Sequence, residues 1–364
     1  MKRRKFLKAA GIGAGATALG ASSLAAPAIA QQTFRWKMLT TWPRNLPAIG
    51  VGSQRIADAI TRMSDGRLTV KLYAAGELVP AFEAFDAVRD GVAECCHDAP
   101  YYWIAKHGAV PFFCSVPGGL SPQEHNAWIY YGGGQELWDE MYAEWGLRGF
   151  MAGTGGPNMG GWYAKEINSI EDMDGLRMRI PGLGAEVFNR LGVVSVNLAG
   201  GEVLPSLQSG ALDAAEWAGP YNDLAMGFYK VVKYYYGPGV HEPGPGIAFT
   251  VSRKAYDELP SDLQEIVRVA AGEENMRMLA ETIRGNAAAL DALINKHGVI
   301  AQHFPDPVID AMHAHSEDVV AAAGAIDGLS KRIYESWIDF RKQMVLLAPY
   351  GEYGYDMGRA RNQA

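Results

Sequence analysis

A chain of 364 residues, 48% of them hydrophobic, has the composition of a folded globular protein with room for two domains. Five of its 33 basic residues lie within the first eight positions; beyond them 28 basic residues face 40 acidic ones, a net charge of −12. An acidic surface of that size argues against nucleic acid and anionic membrane as partners, and it draws attention to any buried arginine.

The first thirty residues read as an export leader. Lys2, Arg3, Arg4, Lys5 and Lys8 precede an apolar, Gly/Ala-rich run over 9–26, and Ala28-Ile29-Ala30 supplies a small-x-small cleavage site. Arg3-Arg4 followed by Phe6-Leu7-Lys8 resembles the twin-arginine signal that exports folded proteins, so the expected location is the periplasm. Gly11, Gly13 and Ala16 match the spacing of a dinucleotide-binding turn, but a charged leader stands where that turn needs a strand. Adjacent Cys95 and Cys96 would face opposite sides of a strand, and no C-x-x-C or H-E-x-x-H is present. Buried free thiols are expected.

In chain order, the alternation in Phe34-Arg35-Trp36-Lys37-Met38-Leu39 predicts a first strand. A helix over 54–64 follows, then a strand over 68–73, a helix over 81–89 and a strand over 92–96. The pattern restarts with strands over 150–152, 162–165 and 176–180. A helix over 185–191, a strand over 193–198, a short helix over 203–210 and a strand over 212–217 complete the second unit, and a strand returns at 247–251. Such alternation implies an α/β fold with parallel-type sheets. A chain that crosses near 153 and again near 247 has two lobes joined by a hinge. The expected lobes are 33–152 plus 247–285, and 153–246 plus 286–330. From Ser261, a plausible N-cap, to Lys296 one apolar face persists for 36 residues. A helix about 54 Å long must either brace both lobes or kink, with Gly272 and Gly285 as places for a kink. The segment 331–364 forms a helical extension whose stripe Ile333, Trp337, Phe340 and Met344 needs either its own core or a second subunit.

No catalytic signature is present: neither a G-x-S-x-G elbow nor a Walker loop, and His313 and His315 lie about 200° apart around a helix. Four clusters at strand ends stand out instead. In Arg177-Met178-Arg179-Ile180-Pro181 the two arginines share a strand face and can offer a bidentate guanidinium to a carboxylate, or can both be solvated. Ala215-Glu216-Trp217-Ala218 joins a carboxylate to an indole. The stretch 155–162 carries the amide of Asn158 among glycines, and Asp98-Ala99-Pro100-Tyr101-Tyr102-Trp103 is aromatic, a composition that also suits a core. Ligands of doubly wound sheets sit at such strand ends.

Gly175-Leu176-Arg177-Met178-Arg179-Ile180-Pro181 resembles the G-L-[KR]-[IM]-R-x-P segment of the substrate-binding subunits of tripartite ATP-independent periplasmic (TRAP) transporters. Leu207-Gln208-Ser209-Gly210-Ala211-Leu212-Asp213-Ala214-Ala215-Glu216 resembles their L-Q-x-G-x-[LV]-D-[GA]-x-E segment, and the likeness runs from Phe34 to Ala323. Met159-Gly160-Gly161-Trp162, Glu216-Trp217 and Tyr234-Tyr235-Tyr236 resemble the branch that binds 2-oxo acids such as pyruvate together with a cation. The resemblance implies a two-lobed periplasmic binding protein that performs no chemistry and delivers its ligand to a membrane permease. It implies Arg179 at the ligand carboxylate and Asn158 against the ligand, and the strand-end aromatics Trp217, Tyr101 and Tyr102 are expected at the ligand from their own clusters. It places Glu216, the Trp217 backbone and Glu242 at a hard cation, Na⁺ before Ca²⁺, and it implies a homodimer held by the tail. A periplasmic metal-dependent lyase or isomerase acting on oxo acids is the alternative.

Overall fold

The computed structural model describes residues 32–362, so the export leader read over 1–30 lies outside it. Among the described residues eleven strands follow in chain order: β1 (Phe34–Thr40), β2 (Leu68–Tyr73), β3 (Cys95–Asp98), β4 (Leu147–Thr154), β5 (Gly161–Tyr163), β6 (Arg177–Arg179), β7 (Val194–Val196), β8 (Ala214–Ala215), β9 (Tyr234–Gly237), β10 (Gly246–Ser252) and β11 (Ile300–His303). They form two sheets, one in each lobe, with orders β2-β1-β3-β10-β4 and β11-β9-β5-β8-β6-β7.

The alternation that marks β1 buries Trp36 and Met38 while Arg35 stays exposed. β3 starts at Cys95 rather than at 92. Gly91 takes φ 77° in a turn, and the Val92 amide is still bonded to Ala87, closing the preceding helix. Cys95, Cys96 and Cys114 are buried free thiols.

Two of the four neighbour pairs in the first sheet and three of the five in the second are parallel, and each sheet holds one reversed strand. β10 is antiparallel to β3 and β4, and β5 is antiparallel to β8 and β9. Both follow a crossing between lobes, β4 to β5 and β9 to β10. A chain that enters a sheet at the cleft edge must run away from the cleft, opposite to its neighbours. The two crossings are bonded to each other, Gly239 N to Asn158 O at 2.9 Å and Gly155 N to Pro245 O at 3.1 Å. A Cβ on Gly239 would lie 2.8 Å from that Asn158 carbonyl, so the approach requires glycine.

The long helix is continuous over Ser261–Asn295, 35 residues, with Pro260 rather than Ser261 at its N-cap. It packs against β4 and the helix Ile49–Met63 of the first lobe, and against the helix Pro220–Met226 of the second. Arg55 ties the first lobe to it through Glu274 and through Glu281 (2.7 Å), and the Tyr221 amide bonds to Asn286 at 3.0 Å. It therefore braces both lobes. Helices Pro122–Tyr131 and Gly134–Ala143 build the first-lobe core, where Phe113 stacks between Trp128 and Trp138 at ring distances of 5.9 and 5.4 Å.

After the helix Asp306–Ala323, which packs on the helix Gly182–Asn189, the helix Gly328–Leu347 returns to the first lobe. Ile333 and Trp337 are buried there, Trp337 5.5 Å from Phe112. Beyond Met344 the chain turns apolar side chains outward, with Leu346 75% and Tyr350 87% exposed. Among the described residues no helix is long and apolar enough to cross a membrane.

Candidate functional site

The carboxyl ends of four strands and the two crossings converge between the sheets. The first lobe sends Trp42 from beyond β1 and Tyr101 and Tyr102 from the turn Pro100–Trp103 beyond β3. The second sends Arg179 from the last position of β6, and Glu216 and Trp217 from beyond β8. The first crossing carries Asn158 and the second carries His241 and Glu242. Glu216, Arg179, His241, Glu242, Asn158, Tyr101, Trp217 and Trp42 are all at most 5% exposed, so a solute reaches them only when the lobes part.

Arg179 is fixed from three sides. Its Nη1 donates to the Glu216 carbonyl at 2.7 Å and reaches Glu216 Oε2 at 3.2 Å; its Nε donates to the Leu198 carbonyl at 3.2 Å. The guanidinium lies 4.9 Å from the centre of the Trp217 ring, and Nη2 is 3.5 Å from the Tyr102 hydroxyl. Burial works against its charge, but Tyr102, Glu216, Tyr101 and Glu242 together hold its pKa above the ordinary arginine value. Arg177 shares the strand face yet stands at the solvent end of β6, in an ion pair with Asp213 at 2.8 Å. Of the two arginines, only Arg179 belongs to the site.

Two carboxylates oppose that single guanidinium. Asn158 Nδ2 donates to Glu216 Oε1 at 3.2 Å and to Glu242 Oε2 at 2.6 Å, spanning both. Burial pushes the Glu242 carboxyl well above the usual range and the neighbouring Glu216 charge adds to this, against the pull of Arg179. Asn158 Oδ1 and Glu242 Oε1 are buried without a hydrogen-bond partner. Buried acceptors that find no donor, facing two carboxylates, make an oxygen-rich environment that fits a hard cation. With the Asn158 amide turned over, Oδ1 would face the ion in place of Nδ2.

An aromatic wall closes the far side. Tyr101 and Tyr102 meet edge to face at 4.9 Å, and Trp42 lies 5.9 Å from Tyr102 and 6.4 Å from Trp217. The loop 216–219 is anchored from below by buried Asp223. Its carboxylate accepts from Ala218 N at 3.2 Å, Trp162 Nε1 at 2.9 Å and Tyr235 OH at 2.8 Å.

All seven residues expected at ligand or cation, Arg179, Asn158, Trp217, Tyr101, Tyr102, Glu216 and Glu242, thus converge. Trp42 and His241 join them without having been singled out from the sequence. Trp42 lay in a loop after β1 with no motif around it. His241 directly precedes Glu242 but is not part of any ligand spacing.

Residues 40–325 match the family described as bacterial extracellular solute-binding protein, family 7. A monocarboxylate 2-oxoacid-binding periplasmic protein of a Nostoc species is 39% identical over 359 residues, 98% of each chain. A TRAP transporter solute-binding protein of Bordetella bronchiseptica, solved as a dimer with copurified calcium and picolinate, is 36% identical with a TM-score of 0.89, covering 91% of this chain and 98% of its own. A TRAP periplasmic solute-binding protein of Pseudoalteromonas atlantica, solved with sodium and pyruvate, is 38% identical with a TM-score of 0.86, covering 89% and 98%. The family is one of receptors and not of enzymes, which sets aside the lyase or isomerase alternative. With a family match over most of its length and the two-lobed fold of these neighbours, the chain belongs to the solute-binding proteins of TRAP transporters, family 7.

Proposed function

We propose that this receptor binds a small 2-oxo monocarboxylate, pyruvate-like in size, together with a hard cation in the interlobe cleft, and presents it to the membrane permease. The observation that carries this reading is one fully buried guanidinium, Arg179, paired with Glu216 beside a second buried carboxyl, Glu242, which Asn158 links to Glu216. A ligand carboxylate entering this space needs a cationic partner, since an unpaired buried charge is costly, and Arg179 supplies it. A 2-oxo acid offers a carboxylate oxygen and a keto oxygen in chelating geometry. Glu216, Glu242, the Trp217 carbonyl and Asn158 Oδ1 are the protein oxygens available to the same ion, a donor set suited to Na⁺ or Ca²⁺.

The aromatic wall of Trp42, Tyr101, Tyr102 and Trp217 leaves an apolar end for a short side chain and no second cation for a second carboxylate. Pyruvate bound with sodium in the Pseudoalteromonas protein, and picolinate with calcium in the Bordetella protein, have the same chemistry of a carboxylate beside a chelating neighbour atom. The lobes are 33–152 plus 247–285 and 153–246 plus 286–330, and they close over the ligand by bending at the two crossings. Secretion to the periplasm uses the twin-arginine leader. The exposed apolar turns after Met344 meet the equivalent segment of a second copy, giving a homodimer.

A thermal-shift series tests the ligand. Pyruvate and 2-oxobutyrate raise the melting midpoint in the presence of sodium or calcium, and succinate does not. Arg179→Ala abolishes the shift while the ligand-free protein still melts cooperatively. An equal shift by succinate, or a shift that survives Arg179→Ala, contradicts the assignment.

A further inference from the structure

The cation environment contains a nitrogen that an oxygen-only reading leaves unused. His241 is 2% exposed, and neither of its ring nitrogens has a hydrogen-bond partner. A buried histidine with a purely structural role normally parks both nitrogens. His97 does so in this protein, with Nδ1 2.8 Å from Ser53 Oγ and Nε2 3.1 Å from the Ala152 carbonyl. Leaving an imidazole unpaired in the interior costs about 1–3 kcal/mol, so the ring is held there for something it meets only part of the time.

His241 is also held in place. Its ring meets Phe188 edge to face at 5.6 Å, and its Cβ sits against Gly184, where an added methyl would come within 3.0 Å. So fixed, it directs Nε2 to within 3.7 Å of Glu216 Oε1. One donor atom from each of Glu216, His241 and Glu242 lies within 4.8 Å of the others. Three ligand atoms spread evenly at about 2.1 Å from one ion lie about 3.6 Å apart, so side-chain adjustments of about an ångström bring these three onto a shared ion.

Charge and ligand type point the same way. With both glutamates ionised, Arg179 and a divalent ion balance them and one bound monocarboxylate, whereas a monovalent ion balances the site only while Glu242 keeps its proton. Imidazole adds little for Na⁺ or Ca²⁺, which take oxygen, and much for Mn²⁺, Co²⁺, Ni²⁺ or Zn²⁺.

We propose that His241 Nε2 completes, with Glu216 and Glu242, a site for a divalent transition-metal ion, so that the receptor takes its 2-oxo acid as a chelate of such an ion as well as with Na⁺ or Ca²⁺. This rests on the reading of the cleft as a cation-assisted carboxylate site. The receptor then responds to the local supply of transition metal as well as to the oxo acid.

The test uses the full mature chain, stripped of metal, with pyruvate present. Mn²⁺ is added and pulsed electron paramagnetic resonance reads whether a histidine nitrogen is coupled to the ion; Co²⁺ and Ca²⁺ affinities are measured by calorimetry. A nitrogen coupling is expected in the wild type and is lost in H241Q. Co²⁺ affinity in H241Q falls about 100-fold while Ca²⁺ affinity changes less than about threefold, since only the former ion exploits the imidazole. Absence of a nitrogen coupling in the wild type, or a parallel fall for both ions in H241Q, overturns the proposal. Should H241Q fail to fold, the wild-type coupling alone decides. Pyruvate that binds with Ca²⁺ or Na⁺ but gives no nitrogen coupling sinks only the role of His241. Pyruvate that binds with no cation at all removes the underlying reading as well.

Discussion

Asn158 Nδ2 stands 2.6 Å from Glu242 Oε2 and 3.2 Å from Glu216 Oε1, so a neutral amide bridges two buried carboxylates at the point where both crossings between the lobes meet. The amide does for the cation-free site what an ion would do for the loaded one. Replacing it by a third carboxylate exposes that substitution. Asn158→Asp removes the two hydrogen bonds that Nδ2 donates to these carboxyl groups, together about 2 kcal/mol, and adds repulsion, so the cation-free protein melts earlier. Calcium then raises the melting midpoint more in Asn158→Asp than in the wild type. An equal calcium shift in both proteins would show that no ion sits between these groups.

Asp223 positions the loop that carries Glu216 and Trp217 without touching the cleft. Its two oxygens accept three donors, from Ala218, Trp162 and Tyr235. In Asp223→Asn an NH₂ group faces at least one of those donors, costing about 1–3 kcal/mol of stability. Cation affinity falls with it, because the Trp217 carbonyl is no longer held. Denaturant unfolding and calcium calorimetry read the two effects, and a destabilised variant with unchanged calcium affinity would separate Asp223 from the site.

Two glycines of the long helix make a matched pair. A Cβ at Gly285 would meet the Tyr221 ring at 2.5 Å, whereas one at Gly272 meets nothing within 4 Å. Gly272→Ala therefore stabilises by about 1 kcal/mol through helix propensity alone. In Gly285→Ala the same gain is outweighed by about 1–3 kcal/mol of overpacking against the second-lobe helix. Thermal melts of both variants check the opposite signs.

Burial pushes the Asp98 carboxyl up to about 7, although Cys96, Trp103 and Thr250 all donate to it. The unfolded chain releases this proton near pH 4, so between about pH 4 and 7 the folded state binds more protons and stability falls as pH rises. Buried His97, pushed down to about 4, has the opposite slope, since only the unfolded chain takes up its proton over that window. Asp98→Asn removes the first slope and leaves the second. Denaturant midpoints of the variant should therefore gain on the wild type from about pH 4 to pH 7 and run parallel above it. Curves parallel throughout would place an ordinary carboxylate at Asp98.

The sequence made the architecture legible where periodicity is strong. β1, β2 and the long helix lie within a residue of their expected bounds, because alternation and the helical stripe there reflect burial directly. It failed where neighbours decide. Arg177 and Arg179 are equivalent by spacing, and only the tertiary fold turns one toward Asp213 and the other into the cleft. The reversal of β5 and β10 follows from which edge the chain enters, which local pattern does not encode. Helices Pro122–Tyr131 and Gly134–Ala143 are absent from the expected elements, although each buries one face, His125, Trp128 and Ile129 in the first and Trp138, Met141 and Tyr142 in the second. Within the site, Arg179, Glu216 and Asn158 lie in recognisable segments. Trp42 and His241 reach it through loops whose path is set by strands elsewhere.

We propose that the cleft reads a carboxylate through Arg179 and a cation through Glu216 and Glu242. This reading is tested most directly by titrating pyruvate calorimetrically into the metal-stripped protein in a sodium-free buffer, then repeating the titration with calcium or sodium restored. No measurable heat of binding is expected in the first titration and saturable one-to-one binding in the second. Equal affinity in both would show that the carboxylate is held without a cation and would contradict this reading.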